Sequence, residues 1–485
     1  MWAAESPPPE PPAASVRWHT AALLLVVAAL FAGTYLSVRS RGAARTSDTA
    51  RMTLEGLAAA RQAYWMSHTG QGGARLAAAL KADAVRKLAA LARAAPSPSA
   101  VRRLALMQYW EGDSRWAATL LGLRDLAPPG RRLDVERELD LWRRVLTPGA
   151  LRPRDVEDAA ARVAGLNLGW FKRIALEALY RNAGENEAAR RESEAAQRTT
   201  AAFAYLNMVG LLALGLGAVL LLMAARRVMA ALREPGGLRW LLPALPPPLP
   251  RVQADRLYLV FLAYLGTMAA ARFGLFGVAR ALVHRGGPPS PAAGAAISLA
   301  VGLVAVGIPT LMLLWFGRRG GPGFVAIGIR RVAWLRESAW GLLGYITATP
   351  LLALAVAVSA WAFRNVSTPM NPAAAQFAAS GNHWWQGVLL LHAVLVAPVS
   401  EEVMFRGVFY RALQPRLGVG GAALVSAAVF AVLHPQLPIG FAGIFVLGLA
   451  FTALYLLRGS LLSAIVAHAL NNGVIFISLA LLMGT

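Results

Sequence analysis

The sequence has no cysteine, which excludes disulfide staples, thiolate metal sites and thiol nucleophiles together. Lysine is nearly absent: Lys81, Lys87 and Lys172 are its three occurrences, so the 48 basic residues are almost all arginine. Acidic residues number 25 against those 48, leaving a formal charge of +23, and from Ala339 onward the carboxylates are Glu401 and Glu402 alone. Neither H-E-x-x-H nor G-x-S-x-G occurs, so the usual zinc-protease helix and the serine nucleophile elbow are both missing, and Ser400 has no evident base partner. Only 15% of the 485 residues are charged and 57% are hydrophobic, with a mean hydropathy of +0.49. That composition excludes a disordered or fibrous chain and is too apolar for an ordinary soluble domain.

What the chain does have is apolar runs. Residues 1–20 are a proline- and alanine-rich tail expected to be disordered, and 21–38 form an uncharged stretch flanked by arginines, just long enough for a transmembrane anchor. Residues 39–200 mix charges of both signs with apolar residues at helical spacing, the pattern of a soluble helical insert. Within it Gly73, Gly112, Gly149 and Gly184 recur at intervals of 39, 37 and 35. This invites a repeat of helical hairpins, and LALMQYWEGDSRWAA and IALEALYRNAGENEAA faintly resemble tetratricopeptide pairs; a plain alanine-rich bundle is the alternative. Further apolar runs follow at 201–225, 257–271, 295–316, 339–363, 384–399, 420–433, 439–457 and 461–483.

The expectation is therefore an all-α, polytopic membrane helical bundle of about nine spans with an extramembrane insert: a span and a basic proline-rich loop at 201–256, membrane helices at 257–383, and a final core at 384–485. Arginines cluster between spans, at 226–256 and 318–336, rather than on one polar face. The positive-inside bias explains them without nucleic acid, puts both loops in the cytoplasm and places the insert outside.

Chemistry concentrates in the last hundred residues. Each ionisable group at membrane depth costs about 2.5 kcal/mol or more unless paired or solvated, so Glu401 and Glu402 are candidate functional groups, and Arg406 stands at i, i+4 from Glu402, where it can pair with it. His434 closes the run FAVLHP, while His468 and Asn472, also i, i+4, share one face of the last apolar run. If LQPRLG at 413–418 is a turn, Glu401 and His434 lie about 18 and 24 Å from it, a mismatch that tilt can cover. His468 fits less well: it is about 8 residues past the turn at 458–460, whereas a straight helix would put His434 about 20 residues before it. A carboxylate and an imidazole can together activate a water, and an imidazole with a carboxamide can stabilise an oxyanion. Alternatively, two histidines and a glutamate could ligate zinc, with the other glutamate as base.

The E-E-x-x-x-R of Glu401, Glu402 and Arg406, the F-x-x-x-H of Phe430 and His434 and the H-x-x-x-N of His468 and Asn472 resemble, in order, the motifs of the CPBP (ABI) intramembrane proteases. That family includes CAAX prenyl endopeptidases and bacterial relatives linked to bacteriocin processing or self-immunity. The resemblance covers roughly 384–480. It implies that Glu401 and His434 activate the attacking water, that His468 and Asn472 form the oxyanion site, and that Glu402 and Arg406 support them, with the involvement of zinc left open. The expected partners are the lipid bilayer and a membrane-associated protein or peptide substrate, with a protein partner for the 39–200 insert; the arginine-for-lysine bias points to a bacterial inner membrane. Two other readings stand beside the protease: a catalytically idle scaffold or immunity-type protein, and a proton-coupled transporter, which should carry internal repeats that the membrane half does not display.

Overall fold

The computed structural model describes residues 41–69, 73–166, 168–235, 247–286, 310–319, 323–363, 371–379 and 383–483, with single positions at 366 and between 300 and 307; the side chains of 41–48, 50, 69, 73, 74, 271–286, 372 and 379 lie outside it. Among the described residues every element is helical and no strand occurs. The chain divides into two compact units, one of residues 41–215, 367–387 and 473–485, the other of 216–366 and 388–472.

The first unit contains α1 (Arg41–Thr69), α2 (Gly73–Ala94), α3 (Pro98–Glu111), α4 (Trp116–Leu121), α5 (Arg132–Leu146), α6 (Val156–Gly165), α7 (Phe171–Asn182) and the start of α8 (Asn186–Leu232). Helix limits follow from local chemistry. Ser97 accepts a hydrogen bond from the Ala100 N–H at the start of α3, Pro98 takes the first position, where no N–H is needed, and Gly112 ends the helix at φ 86°. Gly149 and Gly184 likewise have positive φ. Three helix pairs, α3/α4, α5/α6 and α7/α8, thus turn at left-handed glycines 37 and 35 residues apart. Gly73 departs from the series: it opens α2.

Trp142, Tyr64, Leu88 and Phe171 fill the core of this unit. Several of its polar groups are paired, while Arg61, Arg103, Arg144 and Trp170 each keep a buried nitrogen without a hydrogen-bond partner. The Tyr64 hydroxyl donates to Glu177 (3.2 Å), and Arg102 clasps Glu138 through two bonds of 2.6 and 2.7 Å. Arg61 is fully buried, donates once to the Thr199 carbonyl (3.2 Å) and lies over the Trp170 ring, yet its Nε and Nη2 have no partner. Burial pushes its guanidinium down to about 9.

The second unit contains the rest of α8, α9 (Arg251–Gly286) and α10 (Trp334–Ala362), together with a helical run spanning His383–Val432, α15 (Gly440–Arg458) and α16 (Leu462–Met483); α11 (Pro372–Ala379) and the ends of the third run and of α16 fall in the first unit. Five helices are long and apolar enough to cross a membrane: α8, α10, the His383–Val432 run, α15 and α16. The chain is accordingly an integral membrane protein. About nine spans were expected, and that number is not reached among the described residues. The run at 21–38 lies outside them, as does most of 295–316. The run at 257–271 sits inside α9, where Leu257, Phe261 and Leu265 are buried on one helical face in the core cluster that also holds Phe405 and Phe409, on which Phe261 packs. The runs at 384–399 and 420–433 fall in one helical stretch bent at Gly418.

Gly418 makes that bend. Its φ of 66° and ψ of −176° are accessible to glycine alone without strain, and the chain folds back so that Ser426 meets Phe405. Pro415, inside the expected turn at 413–418, stays helical. The other close approaches use small residues, as membrane helices must when lipid is as apolar as leucine. A Cβ on Gly217 would stand 2.1 Å from the Ile346 carbonyl, and one on Gly341 2.6 Å from the Ser463 carbonyl.

Two outcomes follow. Gly341→Val meets backbone rather than a movable side chain, so it should lower the unfolding temperature in detergent and reduce monodisperse yield; unchanged stability would show that α10 does not seat on α16 there. Arg61→Met keeps the stem and removes the penalised charge, so it should raise the unfolding temperature at pH 7. Because the folded state binds that proton less tightly, wild-type stability should climb as pH rises through about 9, and the variant should lack that climb.

Candidate active site

The helical run from His383 consists of α12 (His383–Leu391), α13 (Ala397–Glu402) and α14 (Tyr410–Val432), joined by wider π turns at His392–Val396 and Val403–Phe409. Each π turn has a local cause. Pro398 has no N–H and its ring crowds the carbonyl four residues back, so the turn before it widens and the Ala397 N–H bonds to His392. In the second, the Ser426 hydroxyl reaches across from α14 and donates to the Phe405 carbonyl (3.2 Å). An extra residue in a turn rotates everything after it, and such insertions recur at functional sites. Here they bracket the two glutamates.

Glu402 and Arg406 form the expected i, i+4 pair at 2.9 Å, both side chains fully sealed from solvent. Arg406 also donates to the Gly448 carbonyl on α15 (3.0 Å) and lies over the rings of Phe430 and Phe451. The same Glu402 oxygen that takes Arg406 takes His468 Nδ1 at 2.9 Å, and Phe451 stacks on the His468 ring at 5.0 Å. The Glu401 side chain, by contrast, is a quarter exposed. Its Oε2 lies 4.0 Å from His434 Nε2 and 3.8 Å from His468 Nε2, has no hydrogen-bond partner and is itself buried.

The two imidazoles are held differently. His434 Nδ1 bonds to the Phe430 carbonyl at 2.6 Å. A carbonyl only accepts, so the proton sits on Nδ1, and Nε2 of the neutral ring is the basic nitrogen turned toward Glu401. His468 Nδ1 donates to the Glu402 carboxylate in the same way, so its Nε2 carries a hydrogen only when the ring is the imidazolium. Asn472 stands outside this direct network. One turn along α16, its Nδ2 donates to the Ala393 carbonyl in the first π turn (2.8 Å) and its Oδ1 accepts from Asn471 (3.2 Å). The amide nitrogen has a second hydrogen.

Five of the six residues singled out from the sequence thus meet in one cluster, with the sixth one helical turn away. The depth problem dissolves once the reversal is placed at Gly418: Glu401 is 17 residues before it and His434 16 after, so both stand about 24–26 Å from the bend. His468 also fits, because residues 433–439 are irregular and α15 begins beyond His434. Its Gly448 and Phe451, not its first turn, are then level with Arg406 and His468.

Three contributors were missed. His392, in the first π turn, interacts electrostatically with Glu401. Glu337 is buried at the start of α10 and receives Arg458 through two bonds and the Ser463 hydroxyl, tying together the ends of α15 and α16. Arg411 is buried and donates to the carbonyls of Ala326 and Pro247. A carboxylate just before an apolar run, and an arginine within one, were the available signals. For the zinc alternative, no three histidine, aspartate or glutamate side chains among the described residues are placed to hold an ion together.

Residues 383–474 match the family model described as Type II CAAX prenyl endopeptidase Rce1-like. The matched segment is consistent with a CPBP family intramembrane protease and contains all six residues. It leaves the 41–215 helices outside. No curated protein and no solved structure matches the chain.

The ion pair sealed within the matched segment sets its tolerance to substitution. Arg406→Met leaves the Glu402 carboxylate with His468 alone and should cost about 3–5 kcal/mol in denaturant unfolding of the detergent-solubilised protein. Glu402→Gln combined with Arg406→Met should cost less than the two single changes added together. Strict additivity would show that the pair is not coupled.

Proposed function

We propose that this protein is an intramembrane endopeptidase that hydrolyses a peptide bond of a membrane-associated protein or peptide with a water activated by Glu401 and His434. The observation that carries the reading is the partnerless Glu401 Oε2 with two imidazole Nε2 atoms 3.8 and 4.0 Å away, a spacing at which one water can touch the carboxylate and an imidazole together. The Rce1-like match supplies the reaction class.

In the proposed reaction the water hydrogen-bonds to His434 Nε2 and gives a proton to Glu401 as its oxygen attacks the scissile carbonyl carbon. Negative charge moves to the carbonyl oxygen. His468, as an imidazolium held by Glu402, donates to that oxyanion from Nε2, and Asn472 donates with its second amide hydrogen. Collapse of the tetrahedral intermediate breaks the C–N bond, and the proton held by Glu401 passes to the departing amine. Arg406 pairs with Glu402, and Glu402 keeps His468 oriented. The low-dielectric surroundings strengthen each of these contacts. The arginine-rich segments at 226–256 and 318–336 belong on the cytoplasmic face, the substrate is a peptide tethered to the bilayer, and the helices of 41–215 are the surface for a further protein partner.

Reconstituted protein given a quenched library of membrane-anchored peptides should cleave it. Glu401→Gln and His434→Ala should each lower the rate by about 10²–10⁴ while leaving the unfolding temperature unchanged, and a chelator should have no effect. Full activity in Glu401→Gln would refute the assignment, and loss on chelation with recovery on added zinc would refute the metal-free scheme.

A further inference from the structure

A cavity of about 450 Å³ lies away from the glutamate cluster, lined by Arg330, Arg331, Arg336, Glu337 and Arg458 with Val332 and Ala333. Its charge is unbalanced. The single carboxylate is committed: Glu337 Oε1 and Oε2 receive Arg458 at 2.7 and 3.0 Å, and Oε2 also receives the Ser463 hydroxyl at 2.8 Å. Arg458 is thereby neutralised. Arg330 donates to the Arg458 carbonyl, which fixes its guanidinium without changing its charge. Arg336 reaches the edge of Glu337 at 3.6 Å, too long for a hydrogen bond. Arg330, Arg331 and Arg336 therefore surround the cavity with three positive charges and one shared, saturated acid.

Its depth in the bilayer is fixed by the helices that form it. Glu337 is in the first turn of α10 and Arg458 is the last residue of α15, and both helices are candidate membrane spans. The cavity thus stands where two spans end, at the level of lipid headgroups. The neighbouring side chains are those of an interfacial belt: Trp334 and Leu335 are each 66% exposed, and Trp340 lies under the Arg458 guanidinium with 5.0 Å between them. Below them the exposed Leu342 and Leu343 continue an apolar surface along α10. A cationic socket above an apolar helix face matches one kind of molecule, with a phosphate at one end and acyl chains at the other.

We propose that this cavity binds the phosphate headgroup of an anionic lipid, with the guanidinium groups of Arg330, Arg331 and Arg336 on the phosphate oxygens and the acyl chains along α10. Arginine suits the task because its planar fork meets two phosphate oxygens at once. This site is independent of the proposed peptidase chemistry and persists if that chemistry fails.

The test uses the whole purified chain in nanodiscs or detergent, with lipid binding read by native mass spectrometry and by a thermal shift on titration with phosphatidylglycerol or phosphatidylcholine. Wild type should retain phosphatidylglycerol and be stabilised by it, with phosphatidylcholine giving neither effect. Arg331→Gln with Arg336→Gln should weaken phosphatidylglycerol binding by about 30-fold. A control removing the exposed basic residues Arg226, Arg227 and Arg233 at the end of α8 should bind as wild type does. Equal binding of the two lipids, or equal loss in the control, would overturn the site in favour of diffuse surface charge. Displacement of the lipid by millimolar inorganic phosphate would overturn the lipid assignment and make it a free-phosphate site. If the double variant is unstable, Arg331→Gln alone serves, with about a fivefold loss expected.

Discussion

A carboxylate with no access to water holds the membrane unit together. Glu402 is tolerable at that depth because Arg406 and His468 both meet one of its oxygens, and Arg406 in turn is tolerable because Gly448 and two phenylalanine rings surround its other faces. Remove Arg406 or Glu402 and the other loses its counter-ion in a low dielectric. The network therefore couples the second π turn, α14, α15 and α16, and it fixes the ring plane of His468 and so the direction in which Nε2 points. Glu401, one residue earlier, is spared this work and keeps an unpartnered oxygen.

Much of the local pattern was legible and some of the geometry was not. The i, i+4 spacings of Glu402 with Arg406 and of His468 with Asn472 follow directly from helical periodicity. The bend was harder: LQPRLG contains a proline that invites a turn, yet the chain waits for Gly418, because a positive φ decides where a helix reverses and Pro415 is accommodated. The meeting of His434 with His468 could not be derived, since it depends on the irregular residues 433–439, whose path no periodicity describes. Glu337 and Arg411 escaped notice for a different reason. Their partners are 121 and 164 residues away or are backbone carbonyls, and such long-range pairs leave no spacing to read.

The span count shows where hydropathy stops being informative. Apolar content alone cannot distinguish a lipid-facing helix from one buried on protein. In α8 large residues such as Leu211 and Leu222 are more than 60% exposed, whereas in α9 Leu257, Phe261 and Leu265 are sealed against aromatic neighbours. The two stretches read alike as sequence and differ in what covers them. The glycines make the complementary point. Gly217 and Gly341 look like neutral members of apolar runs, yet each permits a backbone approach that no side chain would allow.

The unequal exposure of two adjacent glutamates has a further consequence for how the chain can vary over time. A position that supports a buried counter-ion tolerates change only in concert with its partners, so Glu402, Arg406 and His468 can be exchanged only as a set. Glu401 touches no such set through a hydrogen bond, so under the proposed mechanism its loss would remove reactivity while leaving the scaffold standing. A lineage could therefore silence the chemistry in one step and keep an intact membrane protein, ready for some other use, whereas the reverse order would forfeit the fold first.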